Sequence, residues 1–93
     1  METKYELIHN EAASQYEYHI DGKLAQFVYD DQNGVLYITH TFVPKELGGR
    51  GIAGALTKDA LDDIEKRGLK IKPLCSYTVA YLEKHPEYKR LLP

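Results

Sequence analysis

Hydrophobic and polar positions alternate with a period of two through the first half of the chain, then switch to a helical period after Gly51. Tyr5 to His9 alternates and predicts a short first strand, and the small polar run Asn10 to Gln15 predicts a connection. Tyr16 to Ile20 predicts a second strand. Asp21-Gly22 is a two-residue hairpin signal, because both residues tolerate the positive φ that such a turn needs. Lys23 to Tyr29 returns as a third strand, with Ala25, Phe27 and Tyr29 on one face and Leu24, Gln26 and Val28 on the other. Asp30 to Gly34 predicts the next turn. Val35 to Val43 is the longest strand, and the same alternation sets His40 on one face with Leu36, Ile38 and Phe42.

From Gly51, Ile52, Leu56, Ala60 and Ile64, with Ala53 and Leu61 beside them, fall on one helical face. Lys58, Asp59, Asp62, Asp63, Glu65 and Lys66 fall on the other, and Gly68 is a stop just past the last turn. Leu69 to Leu74 predicts a short strand that a helical crossover sets parallel to Val35–Val43. Ser76 can cap a second helix reaching about Lys84, His85-Pro86 breaks it, and Glu87 to Leu92 predicts a last helical turn. The expected class is α/β (α+β): a four-stranded antiparallel meander, a helix, a fifth strand parallel to the fourth, and a C-terminal helix, all in one domain over residues 1–93.

Composition narrows the function classes. A net charge of −2 supplies no overall field for nucleic acid, and no apolar run is long enough for a membrane span. One cysteine excludes an intrachain disulfide and a multi-cysteine zinc site, and His9, His19, His40 and His85 are scattered without metal-ligand spacing. Met1 to Tyr5 carries no hydrophobic signal segment, so a cytoplasmic location is expected.

Candidate chemistry concentrates in Val43-Pro44-Lys45-Glu46-Leu47-Gly48-Gly49-Arg50-Gly51-Ile52-Ala53-Gly54-Ala55-Leu56. A strand ends at a proline, glycines follow, and a helix begins whose first amides have no intrahelical partner. Glycines let anionic oxygens approach that backbone, and Arg50 adds a full positive charge, so phosphate is the natural guest. Gly49, Gly51 and Gly54 also fit the dinucleotide pattern G-x-G-x-x-G, yet the region about twenty residues on reads Leu69-Lys70-Ile71-Lys72 and holds no ribose-binding acid. A triphosphatase P-loop would need Lys-[Ser/Thr] where Ala55-Leu56 stand.

The window Gly48-Gly49-Arg50-Gly51-Ile52-Ala53 resembles the pyrophosphate loop of the GNAT acyltransferase superfamily, [Arg/Gln]-x-x-Gly-x-[Gly/Ala]. Gly51 and Ala53 match; Gly48 stands where the pattern has Arg or Gln, and Arg50 is the candidate to compensate. His40-Thr41-Phe42-Val43-Pro44, Pro73-Leu74-Cys75, Tyr81-Leu82 and His85-Pro86-Glu87-Tyr88 narrow the resemblance to a small one-domain GNAT-like family. The resemblance spans roughly residues 35 to 92.

The resemblance implies an N-acyltransferase that binds acetyl-CoA or coenzyme A and acylates an amine. By the same analogy the fourth and fifth strands splay, Thr41, Phe42 and Val43 offer the free edge to the pantetheine arm, and Gly48, Gly49, Arg50, Gly51, Ile52 and Ala53 hold the pyrophosphate. Cys75 would lie near the thioester, as an acyl-cysteine intermediate or a polar wall; a lone cysteine is also an ordinary small buried hydrophobe. A helix N-terminus or His40 would give it thiolate character. His40 is a candidate base or a core histidine. Tyr77 and Tyr81, four apart on one helical face, are candidates to protonate the departing thiolate, or packing residues. Glu46 is a second candidate base or an exposed loop acid. Lys84, Lys89 and Arg90 are a 3′-phosphate contact or a solvated face. The short chain leaves an open acceptor side, which suits a peptide or protein lysine. A non-catalytic CoA-binding module, acting as sensor or carrier, is the alternative.

Overall fold

A computed structural model describes residues 5–93. Five strands form one sheet in sequence order: β1 (Ile8–Asn10), β2 (Gln15–Ile20), β3 (Lys23–Gln32), β4 (Val35–Phe42) and β5 (Lys70–Pro73). The first four pair antiparallel, and β5 pairs parallel to β4. Helix α1 (Ile52–Lys66) makes the crossover between β4 and β5, and α2 (Ser76–Lys84) follows β5. Single 3-10 turns cover Glu11–Ala13, Lys45–Leu47 and Pro86–Leu91. The expected α/β class, the meander and the parallel fifth strand are therefore present. The sequence reading of Met1 to Lys4 lies outside the described residues.

Turn chemistry sets the register. Asp21 and Gly22 have φ of 51° and 73°, and Asn33 and Gly34 have 55° and 89°, so both hairpins close on two left-handed residues, the twist that matches flanking strands. The second turn is shorter than its composition suggests. Asp30, Asp31 and Gln32 continue β3 opposite Tyr37, Leu36 and Val35 instead of forming a loop. β1 also begins later than expected, at Ile8.

One face of the sheet carries Tyr16, Tyr18, Ala25, Phe27, Leu36 and Ile38, all buried beneath α1. From α1, Ile52, Leu56, Ala60, Leu61 and Ile64 fill the other half of this core, as the helical spacing predicts. The C-terminal elements pack on the same side, since the Tyr88 hydroxyl donates to Asp62 at 2.6 Å. The opposite sheet face carries none of the described helices. There the Glu17 carboxylate accepts from Asn10, Gln15 and His19 at 2.8, 2.6 and 2.8 Å, a polar network that replaces apolar cover.

The acidic stripe of α1 is more than a solvated face. Tyr16 donates to Asp63 at 2.7 Å, and Tyr18 donates to Asp59. Three tyrosine hydroxyls thus reach from the sheet and the C-terminal turn to three aspartates of one helix, pinning it with charge-assisted bonds. Burial alone would raise the pKa of Asp63, but the bonds from Tyr16 and Arg67, with the charge of Arg67, more than offset it and hold the carboxyl below its usual range.

A depressed pKa in the folded state contributes stability above the unfolded-state value and loses it as pH falls through the folded value. Asp63→Asn should therefore lower urea-unfolding stability at pH 7 by about 1–2 kcal/mol. The gap to the wild-type protein should close as pH falls below about 4.

Candidate active site

Two irregularities at one level of the sheet create the site. β4 pairs with β5 as far as Ile38 opposite Pro73, and there the ladder stops. The nitrogen of Pro73 faces away from β4, and the last ladder bond is the one that the Leu74 amide donates to the Ile38 carbonyl. The Ile38 carbonyl accepts from both Leu74 and Cys75, each at 2.9 Å, and the second of these bonds turns the chain away into α2. β4 continues without β5 through Thr39, His40, Thr41 and Phe42, held only by β3. Among the described residues, the backbone groups of β4 that face β5 have no partner beyond Ile38. That is a splay between two parallel strands.

The second irregularity is a β-bulge. Val28 lies opposite His40 and Tyr29 opposite Ile38, so Thr39 is an extra residue in β4. A bulge reverses which side each later residue faces. Thr41, opposite the buried Phe27, points to the helix-covered side; His40 and Phe42, opposite Val28 and Gln26, point to the open side. This corrects the expectation that His40 shares a face with Leu36 and Ile38. Simple alternation fails because a two-residue period cannot register an inserted residue.

Cys75 and Thr41 meet at the mouth of the splay, with Cys75 Sγ 3.9 Å from Thr41 Oγ1. Cys75, not Ser76, is the N-cap of α2. Partial burial pushes the thiol pKa up, but the amides of Thr78 and Tyr77 and the hydroxyls of Thr41 and Thr78 favour the thiolate and bring it below its ordinary value. Among the described residues no hydrogen bond joins His40 to Cys75; His40 Nδ1 lies 3.1 Å from Thr39 Oγ1. The helix N-terminus, and not His40, thus supplies the thiolate bias.

The glycine loop builds the second half of the site. Leu47 is buried and anchors the 3-10 turn Lys45–Leu47 to the core. Gly49 and Gly51 then take φ of 82° and 71°, and Gly51 is the N-cap of α1 without a capping side chain or an acid in the first turn. The first helical bond runs from the Ala55 amide to the Gly51 carbonyl. Among the described residues, the amides of Gly49 to Gly54 have no acceptor. They border a depression of about 380 Å³ lined by Val43, Pro44, Lys45, Leu47, Gly48 to Gly54 except Arg50, and Tyr77. Unpartnered amides at a helix N-terminus form an anion cradle.

The sequence-derived candidates separate accordingly. Val43, Gly48, Gly49, Gly51, Ile52, Ala53 and Tyr77 border the depression, Ile52 with its side chain in the core. Thr41 and Cys75 stand together at the splay, while Phe42 lies on the open face, 53% exposed. Arg50 does not line the depression; it pairs with Asp21 of the β2–β3 turn at 3.3 Å. Tyr81 is also elsewhere, buried and stacked on His85 with ring centroids 4.3 Å apart, and burial pushes its pKa up to about 12. Lys89 pairs with Glu83 at 3.6 Å and Arg90 with Glu65, so these two cations are engaged on the surface. Lys45, given no role in the sequence analysis, also lines the depression, at the start of the turn that Leu47 anchors. Among the described residues, no group of three or more His, Cys, Asp or Glu side chains is arranged to hold a metal ion, and no helix is long and apolar enough to cross a membrane.

Residues 15–91 match the family model described as GCN5-related N-acetyl-transferase, and the chain belongs to that family. The class so defined is an acetyltransferase, and the family generally uses acetyl-CoA as its acyl donor. The chain is also similar to a protein from Staphylococcus aureus whose solution NMR structure is described as that of a "GCN5-like putative N-acetyltransferase". The two share 28% identity and superpose with a TM-score of 0.73, over 99% of this chain and 91% of that one.

The loop glycines differ in what they do. A Cβ at Gly51 would touch nothing within 4 Å, so Gly51→Ala should cost about 1 kcal/mol through its left-handed backbone alone. Gly54 lies inside α1, where a Cβ would meet the Tyr77 hydroxyl at an ordinary 3.7 Å. Gly54→Ala should therefore raise stability, by roughly 0.5–1 kcal/mol. Thermal unfolding of the two variants against the wild-type protein checks both signs.

Proposed function

We propose that this chain transfers an acetyl group from acetyl-CoA to an amine through Cys75. The observation that carries this reading is the meeting of Cys75 with the open β4–β5 splay, at the end of a helix whose first turn favours its thiolate. Acetyl-CoA supplies an acyl carbon already activated as a thioester. The amides of Gly49 to Ala53 and the charge of Lys45 would bind its pyrophosphate, and the free edge of β4 from Thr41 to Val43 would hold the arm. Arg50 would join only by leaving Asp21.

The thiolate of Cys75 forms a sulfur–carbon bond to the acyl carbon as the bond from that carbon to the CoA sulfur breaks. Tyr77 borders the same depression, and burial raises its pKa, so the phenol keeps a proton to give to the departing CoA thiolate. An amine then attacks the acetyl-cysteine: a nitrogen–carbon bond forms, the cysteine sulfur leaves as thiolate, and the amine loses a proton. His40 points to the open side of the sheet, away from Cys75, so that proton passes to solvent. Phe42 and Leu74, 53% and 59% exposed, flank the gap and suit an extended peptide or protein segment bearing a lysine. Tyr81 has no part in these steps.

Incubation with acetyl-CoA in the absence of an acceptor, followed by intact-mass measurement, tests the relay. The wild-type protein should gain one acetyl group that hydroxylamine removes, and Cys75→Ala should gain none. Turnover of a lysine peptide by Cys75→Ala at the wild-type rate would instead establish direct attack on the thioester. Binding of acetyl-CoA without turnover by either protein would leave a carrier or sensor.

A further inference from the structure

The N-cap of a helix is a place for an acceptor. Side chains there receive hydrogen bonds from the second and third helical amides, which is why Ser, Thr, Asp and Asn predominate. In α2 that place holds Cys75, and the corresponding amides are those of Tyr77 and Thr78. A neutral thiol accepts weakly, and no amide bonds to the sulfur in strict hydrogen-bond geometry. A thiolate is a far stronger acceptor, and the same amides act on the sulfur to favour it.

Thr78 is the third helical residue of α2, the position from which a side chain reaches back over the N-cap. It is fully buried, at 0% exposure, and its Oγ1 has no hydrogen-bond partner. A buried hydroxyl without a partner costs stability, so the folded chain gains nothing from it while Cys75 is a thiol. The situation changes when the sulfur carries charge, because the hydroxyl then has an anion to donate to. Thr41, across the splay, is the other hydroxyl at the sulfur, 3.9 Å away.

We infer that Thr78 is a positioning residue that holds Cys75 as a thiolate, its hydroxyl unpaired beside the thiol and donating to Sγ once the thiol proton has passed to water. The role in turnover rests on the relay proposed above. Acylation removes the charge from sulfur, and with it the bond from Thr78; release of the acetyl group to the amine restores both. Thr78 thereby favours the thiolate over the acetyl-cysteine, which makes Cys75 a better leaving group in the second step.

The chain has a single cysteine, so alkylation of the intact folded protein reports on Cys75 alone. The rate of reaction with iodoacetamide is measured against pH for the wild-type protein, Thr78→Val and Thr78→Ser. Thr78→Val should raise the apparent thiol pKa by about one unit. At pH 7 its alkylation should be about threefold slower, a tenfold loss of thiolate being partly offset by the greater nucleophilicity of a more basic sulfur. Thr78→Ser should keep the wild-type profile. Thr78→Val should melt no lower than wild type, since it keeps the shape and removes an unpartnered hydroxyl; Thr78→Ala is a second hydroxyl-free variant on which the same pKa rise is expected.

Superimposable pH profiles for the wild-type protein and the hydroxyl-free variants would overturn the inference. A Thr78→Ser shift as large as that of Thr78→Val would overturn it too, by assigning the effect to packing. The relay can fail separately: a wild-type protein that takes no acetyl group, yet shows a thiol pKa governed by Thr78, refutes the relay and leaves the poise of the thiol intact.

Discussion

The Ile38 carbonyl is the hinge of the whole arrangement. It is the last acceptor shared by β4 and β5: Leu74 completes the ladder on it, and Cys75 shares it as the chain turns. On the other edge of β4, the extra residue Thr39 loosens the pairing with β3 at the same level. The turn that ends β5 and a bulge in the strand itself therefore act together. They open a wedge in an otherwise continuous sheet, and they turn Thr41 toward Cys75 and His40 away from it. Every chemical feature of the site follows from that wedge and from the two helix N-termini that border it.

The core explains why such an opening is tolerated. α1 is fixed to the sheet by an apolar stripe and by the tyrosines that reach its aspartates, so its N-terminus can be left without a cap. Leu47 holds the preceding turn down, and the glycines between them are free to present amides instead of side chains. Rigid packing on one side and unsatisfied backbone on the other is the combination an anion site needs. The Arg50–Asp21 pair lies outside this frame, fully at the surface, where an ion pair is weak enough to exchange for a phosphate.

Much of this was legible in the chain. Asp21-Gly22 announces its turn because few other residues accept the backbone it requires, whereas the turn expected over Asp30 to Gly34 closes on Asn33 and Gly34 alone. The spacing from Ile52 to Ile64 announces α1, and the glycine run announces a loop at its start. The bulge at Thr39 was not legible, since it is a property of two strands pairing and leaves no trace in the period of one. The partners of Asp59, Asp62 and Asp63 were hidden for a related reason: the tyrosines that meet them come from 26 to 47 residues away. Cys75 was read as preceding a cap at Ser76, because cap preference belongs to oxygen-bearing side chains and a sulfur in that place is an exception.

The central claim is that the β4–β5 wedge and the α1 N-terminus form one cofactor cleft. Amide chemical-shift mapping on titration with coenzyme A tests it most directly, independently of any acceptor or turnover. The account predicts perturbations concentrated at Thr39 to Val43, Gly48 to Gly54 and Cys75 to Thr78, with the open-face network around Glu17 undisturbed. Shifts confined to the exposed face, or none at saturating coenzyme A, would contradict it.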